Sequence, residues 1–223
     1  MNTAIWIAIG LCILSVFISV NRRKAEEPKT YLFFDTETTG LPKDYRAPVS
    51  DVDNWPHMIQ LGWILTDAKG TVLHEGNEII KPIGFKIPEE SSAIHGISQE
   101  KALAEGKDIQ IVLKQFIADV NQADCLVGHN VSFDLNIVGA ELIRLGQTDV
   151  MHRKASRCTM RESTDFCKLP PKEGSTQQYK YPKLQELHKI LFGAEFEDAH
   201  DAFADITATK RCFFELKKRG VMK

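Results

Sequence analysis

Residues 31–42 read YLFFDTETTGLP. A short apolar run rich in aromatic side chains ends here in two carboxylates, Asp35 and Glu37, and turn-forming residues follow at once. This pattern predicts a buried strand rather than a helix, because the apolar run is short and Gly and Pro end it. Side chains on a strand alternate between its two faces, so we expect Asp35 and Glu37 to point the same way as Phe33.

Two carboxylates on one face repel each other unless a cation lies between them. Hard divalent cations such as Mg²⁺ prefer oxygen ligands of this kind. Ordinary polar capping of a strand end would give the same Asp-x-Glu pattern. The pair alone therefore leaves both interpretations open.

The remainder of the chain predicts an α/β fold. Two further strand-like runs, at 58–66 and 72–81, flank a tight-turn sequence that is typical of a hairpin. Another short strand is predicted at 125–128, and apolar residues recur at helical spacing in four segments. These segments are 108–120, 132–145, 183–191 and 201–218. Antiparallel strands followed by alternating strands and helices indicate a mixed sheet flanked by helices.

Two more carboxylates lie on predicted helices. Asp134 comes one turn before Ile137 and Val138, so its side chain is expected to lean toward the apolar side of its helix. Aspartates near helix starts also interact with the helix dipole, which is the alternative interpretation. Asp205 has a similar position on the last predicted helix, and His200 stands just before that helix, where a loop side chain could reach over the carboxylates.

The composition is that of a single globular domain. The chain has 223 residues, 43% hydrophobic and 26% charged, which is enough to bury one substantial core. Its formal net charge is -2. The acidic excess falls in the first two thirds, as expected of carboxylates that hold metal ions or of an ordinary solvated surface. The cysteines are odd in number and widely spaced, so we predict no disulfide framework, no structural zinc site and a reducing compartment.

The N-terminal segment predicts a membrane anchor. Residues 3–20 carry no charge, and about 18 residues at ~1.5 Å each cross most of a ~30 Å hydrocarbon layer. A basic cluster at 22–24 follows this run, so the positive-inside rule places a single-pass protein in the inner or plasma membrane with its folded domain in the cytoplasm. A cleaved secretory signal is the alternative, but its positive charge would come first. We expect an anchor at 1–21, a linker at 22–29 and a folded domain at 30–223.

A loop without helical or strand periodicity is predicted at 168–183, KLPPKEGSTQQYKYPK. Its lysines and tyrosines combine positive charge with stacking surface, which single-stranded nucleic acid favours. A solvated surface loop would have the same composition, so the segment leaves both interpretations open.

Three segments together resemble the exonuclease motifs of the DEDD superfamily. They are FFDTETTGLP at 33–42, GHNVSFDLNIV at 128–138 and HDAFAD at 200–205. The H-x4-D spacing is similar to that of the histidine-bearing DEDDh branch, which includes the proofreading epsilon subunit of bacterial DNA polymerase III and the three-prime repair exonucleases. Each motif alone is weak, but three in this order are highly specific, and the resemblance covers nearly all of residues 30–218.

The resemblance implies a ribonuclease H-like fold and a metal-dependent 3′→5′ exonuclease that releases nucleoside monophosphates from nucleic-acid ends. It implies two Mg²⁺ ions, which Mn²⁺ can replace, held by four carboxylates: Asp35, Glu37, Asp134 and Asp205. Asp35 is expected to bridge the ions, with Glu37 and Asp205 completing one site and Asp134 holding the other mainly through water. His200 matches the position of the general base.

The resemblance also implies contacts to the substrate. Thr38 and Leu41 match positions that contact the terminal nucleotide, with Leu41 wedged against the last base. His95 matches a recurrent segment near the site, although its role could be turn packing alone. Single-stranded DNA is the expected substrate, with the membrane contacted through residues 3–20.

Two other functions are compatible with the same residues. An RNA-trimming exoribonuclease is the nearest alternative, because the contacts that distinguish ribose cannot be seen in sequence. A catalytically silent nucleic-acid-binding module is the second, and retention of every active-site residue type argues against it. The sequence ends soon after its last predicted helix, so we expect no polymerase partner.

Overall fold

The computed structural model describes residues 27–197 and 199–222. Its centre is one five-stranded sheet in the order β3-β2-β1-β4-β5. The strands are β1 (Thr30–Thr38), β2 (Met58–Asp67), β3 (Val72–Ile79), β4 (Cys125–Gly128) and β5 (Ala155–Cys158). β1, β2 and β3 pair antiparallel, whereas β4 runs parallel to β1 and β5 parallel to β4. The predicted mixed sheet is confirmed.

Helices flank this sheet. They are α1 (Glu89–His95), α2 (Gln99–Glu105), α3 (Ile109–Gln122), α4 (Val131–Arg144), α5 (Thr159–Glu162), α6 (Thr164–Cys167), α7 (Leu184–Phe192) and α8 (Ala202–Lys218). The four segments with helical spacing became α3, α4, α7 and α8. Five short elements were not predicted from the sequence, because each is too short to develop a repeating apolar face: α1, α2, β5, α5 and α6.

The core lies in two layers, one on each face of the sheet, and β1 contributes to both. Phe34 packs on Phe116 of α3 with ring centroids 5.6 Å apart, and Phe33 packs on Phe213 of α8 with centroids 5.3 Å apart. Even-numbered residues of β1 therefore face α3 and α4, and odd-numbered residues face α8. This alternation carries Asp35 toward the start of α8.

The predicted loop at 168–183 is confirmed as irregular backbone between α6 and α7. Within the described ranges, none of the helices combines the length and the apolar character needed to cross a bilayer. The predicted anchor at 1–21 lies outside those ranges, as does most of the linker at 22–29. Both stay predictions.

Candidate active site

Three predicted carboxylates meet at the carboxyl end of β1. Oxygen atoms of Asp35, Glu37 and Asp205 all lie within 4.8 Å of one another, and all three residues are half-buried. Asp35 and Glu37 come from one face of the strand, as predicted, and Asp205 comes from the first turn of α8. Residues 170 positions apart in sequence therefore form one acidic cluster.

Asp134 approaches the same end of the sheet from α4. β4 runs parallel to β1 with Val127 opposite Phe33 and ends one residue later, so the strand that leads into α4 ends close to Asp35. Asp134 is 3% exposed, and its Oδ1 accepts hydrogen bonds from the backbone N–H of Thr36 at 3.0 Å and from the Thr36 hydroxyl at 2.8 Å. Asp134 is not one of the three clustered carboxylates.

Burial and mutual repulsion raise the pKa values of the acidic groups in this cluster. Burial first, and then the charges of Asp134 and Asp205, raise the pKa of Asp35 well above its ordinary value. Burial is also the largest cause for Glu37, whose pKa rises to about 8 with help from Asp205 and Asp134. A bound divalent cation would relieve both the desolvation and the repulsion.

The pKa values of the other two carboxyls, Asp134 and Asp205, are also raised by burial. Burial raises the pKa of Asp134 to about 7 although the two bonds from Thr36 oppose the shift. Burial likewise raises the pKa of Asp205 to about 6, while the charge and the backbone N–H of His200 lower it. Oδ1 of Asp205 is buried and has no hydrogen-bond partner among the described residues, so it is available to a ligand.

His200 lies beside Asp205. Its side chain is exposed, and its backbone has a φ of 73°, a left-handed conformation that is uncommon for residues other than glycine. Asn130, immediately before α4, has a φ of 71°. Asn130 directly precedes α4, and His200 lies two residues before α8, so a left-handed residue stands close to the start of each helix that carries an acid.

A cavity of about 250 Å³ opens next to Glu37. Nine residues line it: Thr36, Glu37, Thr38, Gly40, Leu41, Ser91, Ile94, His95 and Phe133. All three predicted substrate-contacting residues, Thr38, Leu41 and His95, are among them. Leu41 is 73% exposed and Ile94 61% exposed, so the rim of the cavity is apolar and open to solvent.

Two predicted contact residues also organise the wall of this cavity. The hydroxyl of Thr38 donates to the carbonyl of Gly40 at 2.7 Å, which sets the turn that presents Leu41. Nδ1 of His95 accepts from the backbone N–H of Ile97 at 3.1 Å, and burial lowers the pKa of His95. His95 is therefore a neutral wall residue at pH 7 rather than a charged one.

Several residues of the site were not predicted from the sequence. Ser91 and Ile94 lie on α1, a helix too short to be predicted. The signal for Phe133 in the sequence was its position next to Asp134. The role of Thr36, on the opposite face of β1 from the carboxylates, could not be seen before the position of α4 was known.

Fold and site together define an exonuclease, an enzyme that hydrolyses phosphodiesters, with a ribonuclease H-like architecture. The chain belongs to the exonuclease family RNase_T, whose model matches residues 32–213. The predicted membership of the DEDD superfamily is confirmed.

Two relatives of this chain are much longer proteins. The PolC-type DNA polymerase III of Streptococcus sanguinis strain SK36 is 28% identical over 186 residues, which cover 83% of this chain and 11% of that protein. The PolC-type DNA polymerase III of Streptococcus suis strain 98HAH33 is 27% identical over 195 residues, 87% of this chain and 12% of that protein. The chain thus spans about an eighth or less of the length of these relatives.

Solved structures share the fold. Exonuclease I of E. coli in complex with a dT13 oligonucleotide has a TM-score of 0.65 and 22% identity, covering 86% of this chain and 41% of that one. The zinc-bound complex of the same enzyme with single-stranded DNA has a TM-score of 0.63, 22% identity and the same coverage. At this level of identity the likeness establishes the architecture.

Proposed function

We propose that this chain is a metal-dependent 3′→5′ exonuclease that releases nucleoside monophosphates from single-stranded DNA. The observation that carries the proposal is the meeting of three carboxylates within 4.8 Å, one of which, Glu37, lines a cavity of about 250 Å³. One terminal nucleotide in this cavity would present its phosphodiester to the carboxylates. The direction of cleavage is supported by the resemblance of the three motifs to the DEDDh branch.

The site fits two Mg²⁺ ions, or Mn²⁺ in their place. All the atoms that would bind the ions are carboxylate oxygens, the ligand type that these ions prefer. One of them, Oδ1 of Asp205, has no hydrogen-bond partner among the described residues. Asp35, Glu37 and Asp205 would hold one ion, with Asp35 shared and Asp134 supporting the second. When bound, such ions stabilise the charge on the attacking water and on the departing oxygen.

The chain's own side chains would supply the rest of the mechanism. His200 is exposed beside Asp205 and would take the proton from the attacking water as a general base. Leu41 would pack against the terminal base, and Thr38 would hold the turn that presents it. Neutral His95 would form the wall that faces the nucleotide.

DNA as the substrate is supported by two kinds of relatives. PolC-type DNA polymerases III align with this chain over most of its length. Exonuclease I, a protein of the same fold, has been solved with dT13 and dA16 oligonucleotides. The lysine-rich loop at 168–183 offers further positive charge to the single-stranded DNA.

Incubating the full chain with single-stranded DNA labelled at its 5′ end tests the proposal. We expect a ladder of products shortened from the 3′ end with Mg²⁺ or Mn²⁺, and none with EDTA. A matched RNA in a parallel reaction decides between DNA and RNA as the better substrate. Absence of metal-dependent shortening, or loss of the 5′ label as a mononucleotide in the first products, would overturn the assignment.

Membrane attachment through residues 3–20, with the exonuclease domain in the cytoplasm, is a separate proposal that rests on sequence alone. Extraction of cell membranes with alkaline carbonate tests the attachment. We expect the full chain to stay with the membranes and a variant without residues 1–24 to leave them. Release of the full chain by carbonate would contradict the anchor.

A further inference from the structure

Two residues of β2 lie opposite the catalytic carboxylates and pack against the start of α8. Across the antiparallel pair, Gln60 lies opposite Glu37 and Gly62 lies opposite Asp35. Residues directly opposite each other in such a pair project from the same face of the sheet. Gln60 and Gly62 therefore face α8, which carries Asp205.

Gln60 is 4% exposed, and its side chain is fully used by hydrogen bonds. Its Nε2 donates to Oδ2 of Asp201 at 3.1 Å and to Oδ1 of Asn77 at 2.8 Å. Its Oε1 accepts from the backbone N–H of Ala202 at 3.4 Å. The orientation of the amide is unambiguous, because a carboxylate can only accept and a backbone N–H can only donate.

Asp201 joins this contact to the helix itself. Its Oδ1 accepts from the backbone N–H groups of Phe203 and Ala204, both at 3.0 Å, and so caps the start of α8. The N–H of Asp205 donates to the carbonyl of Asp201 at 2.9 Å, one helical turn further on. A shift of Asp201 would therefore move Asp205 by a similar amount.

Gly62 lets the same turn approach the strand closely. A Cβ at this position would lie 3.0 Å from the carbonyl carbon of Ala202 and 3.2 Å from the N of Phe203. These contacts are with backbone atoms, which cannot rotate away. The backbone at the start of α8 therefore packs directly on β2 at Gly62, which lies opposite Asp35. Gln60 bonds to the same turn of the helix.

We infer that Gln60 is a positioning residue, which holds the first turn of α8 at the distance from β1 that lets Asp205 share a metal ion with Asp35 and Glu37. The inference rests on the proposed function, in which Asp205 is a metal ligand. Metal ligands must be held within about 0.5 Å of a productive geometry, and outer partners commonly provide this hold.

Gln60→Met tests this inference, because it keeps the volume of the side chain and removes its hydrogen bonds. In the full chain we expect Mn²⁺ affinity, measured by calorimetric titration, to fall by roughly 10- to 100-fold, as for other outer-shell substitutions. Turnover at limiting Mn²⁺ should fall in parallel and recover partly at high Mn²⁺. Asn77→Ala is the matched control, because it removes the second partner of the Gln60 amide and leaves the bond to Asp201; its Mn²⁺ affinity should stay near that of the unmodified chain.

Gly62→Ala is an independent route to the same displacement, and it keeps the Gln60 side chain. It should weaken Mn²⁺ binding too, because the added methyl group pushes on the backbone of Ala202. Gln60→Met and Gly62→Ala variants that unfold at a lower temperature but bind Mn²⁺ as tightly as the unmodified chain would overturn the inference and leave the proposed function intact. An unmodified chain that binds no Mn²⁺ would overturn both.

Discussion

Thr36 and Asp134, 98 positions apart, are joined by two hydrogen bonds that converge on one carboxylate oxygen. Thr36 lies on β1 between the two clustered carboxylates, and Asp134 lies on the first turn of α4. The contact therefore fixes the helix that carries the fourth acid to the strand that carries the first two. It also opposes the rise in the pKa of Asp134 that burial produces.

Thr36→Val should weaken this link. The substitution keeps the shape of the side chain but removes the hydroxyl donor, so we expect the free energy of unfolding to fall by about 1–2 kcal/mol. Turnover should fall several-fold, because Asp134 loses one of its two anchors. Urea unfolding and single-turnover kinetics measure the two effects. Thr66→Val is the matched control: Thr66 is equally buried, its hydroxyl has no partner among the described residues, and its loss should leave stability unchanged or higher.

Asp35→Ala and Asp205→Ala should abolish turnover, because each removes a carboxylate from the three that meet. His200→Ala should behave differently and lower turnover by ~10²- to ~10⁴-fold, the usual contribution of a general base, with Mn²⁺ binding largely kept. His74→Ala, which removes an imidazole paired with Asp119 elsewhere in the fold, is the control and should retain activity. Full activity in any of the first three variants contradicts the assigned roles.

The metal-free protein should lose stability as pH rises from 5 to 9. In the folded protein the pKa of Glu37 is about 8, that of Asp134 about 7 and that of Asp205 about 6, whereas carboxyls of an unfolded chain titrate near ~4. Between these values the folded state binds more protons than the unfolded state, so the free energy of unfolding falls as pH increases.

Melting temperatures in EDTA across this range measure the effect. Glu37→Gln should flatten the profile, since it removes one titrating group and its repulsion. Added Mn²⁺ should raise the melting temperature most above pH 8, where it no longer competes with protons for the carboxylates. A melting temperature in EDTA that is constant or increases with pH would contradict the raised pKa values.

Leu41→Ala should impair substrate use without affecting the fold. The side chain is 73% exposed at the rim of the cavity, so its removal exposes no core. We expect kcat/KM on single-stranded DNA to fall roughly tenfold, because packing a leucine against an apolar surface contributes about 1.5 kcal/mol. Leu103→Ala, at an exposed position on α2 that does not line the cavity, is the control. Equal kinetics for the two variants would remove Leu41 from the substrate site.

Local patterns in the sequence were sufficient for most of the sheet and for the long helices. Alternation along residues 31–37 placed Asp35 and Glu37 on one face, and 3.6-residue spacing identified α3, α4, α7 and α8. These patterns follow from the covalent geometry of neighbouring residues, which is the same in any context. The short α1, which lines the cavity with Ser91 and Ile94, has only seven residues and shows no such repeat.

By itself, the sequence determined which residue types could do the chemistry and which of them shared a strand or helix face. Only the tertiary structure decided that Thr36 holds Asp134 and that Gln60 holds Asp201, partners that are 98 and 141 positions apart. Such pairs depend on the register of β1 against β2 and β4 and on how closely each helix approaches the sheet. Those distances result from the packing of the whole core, and no local pattern encodes them.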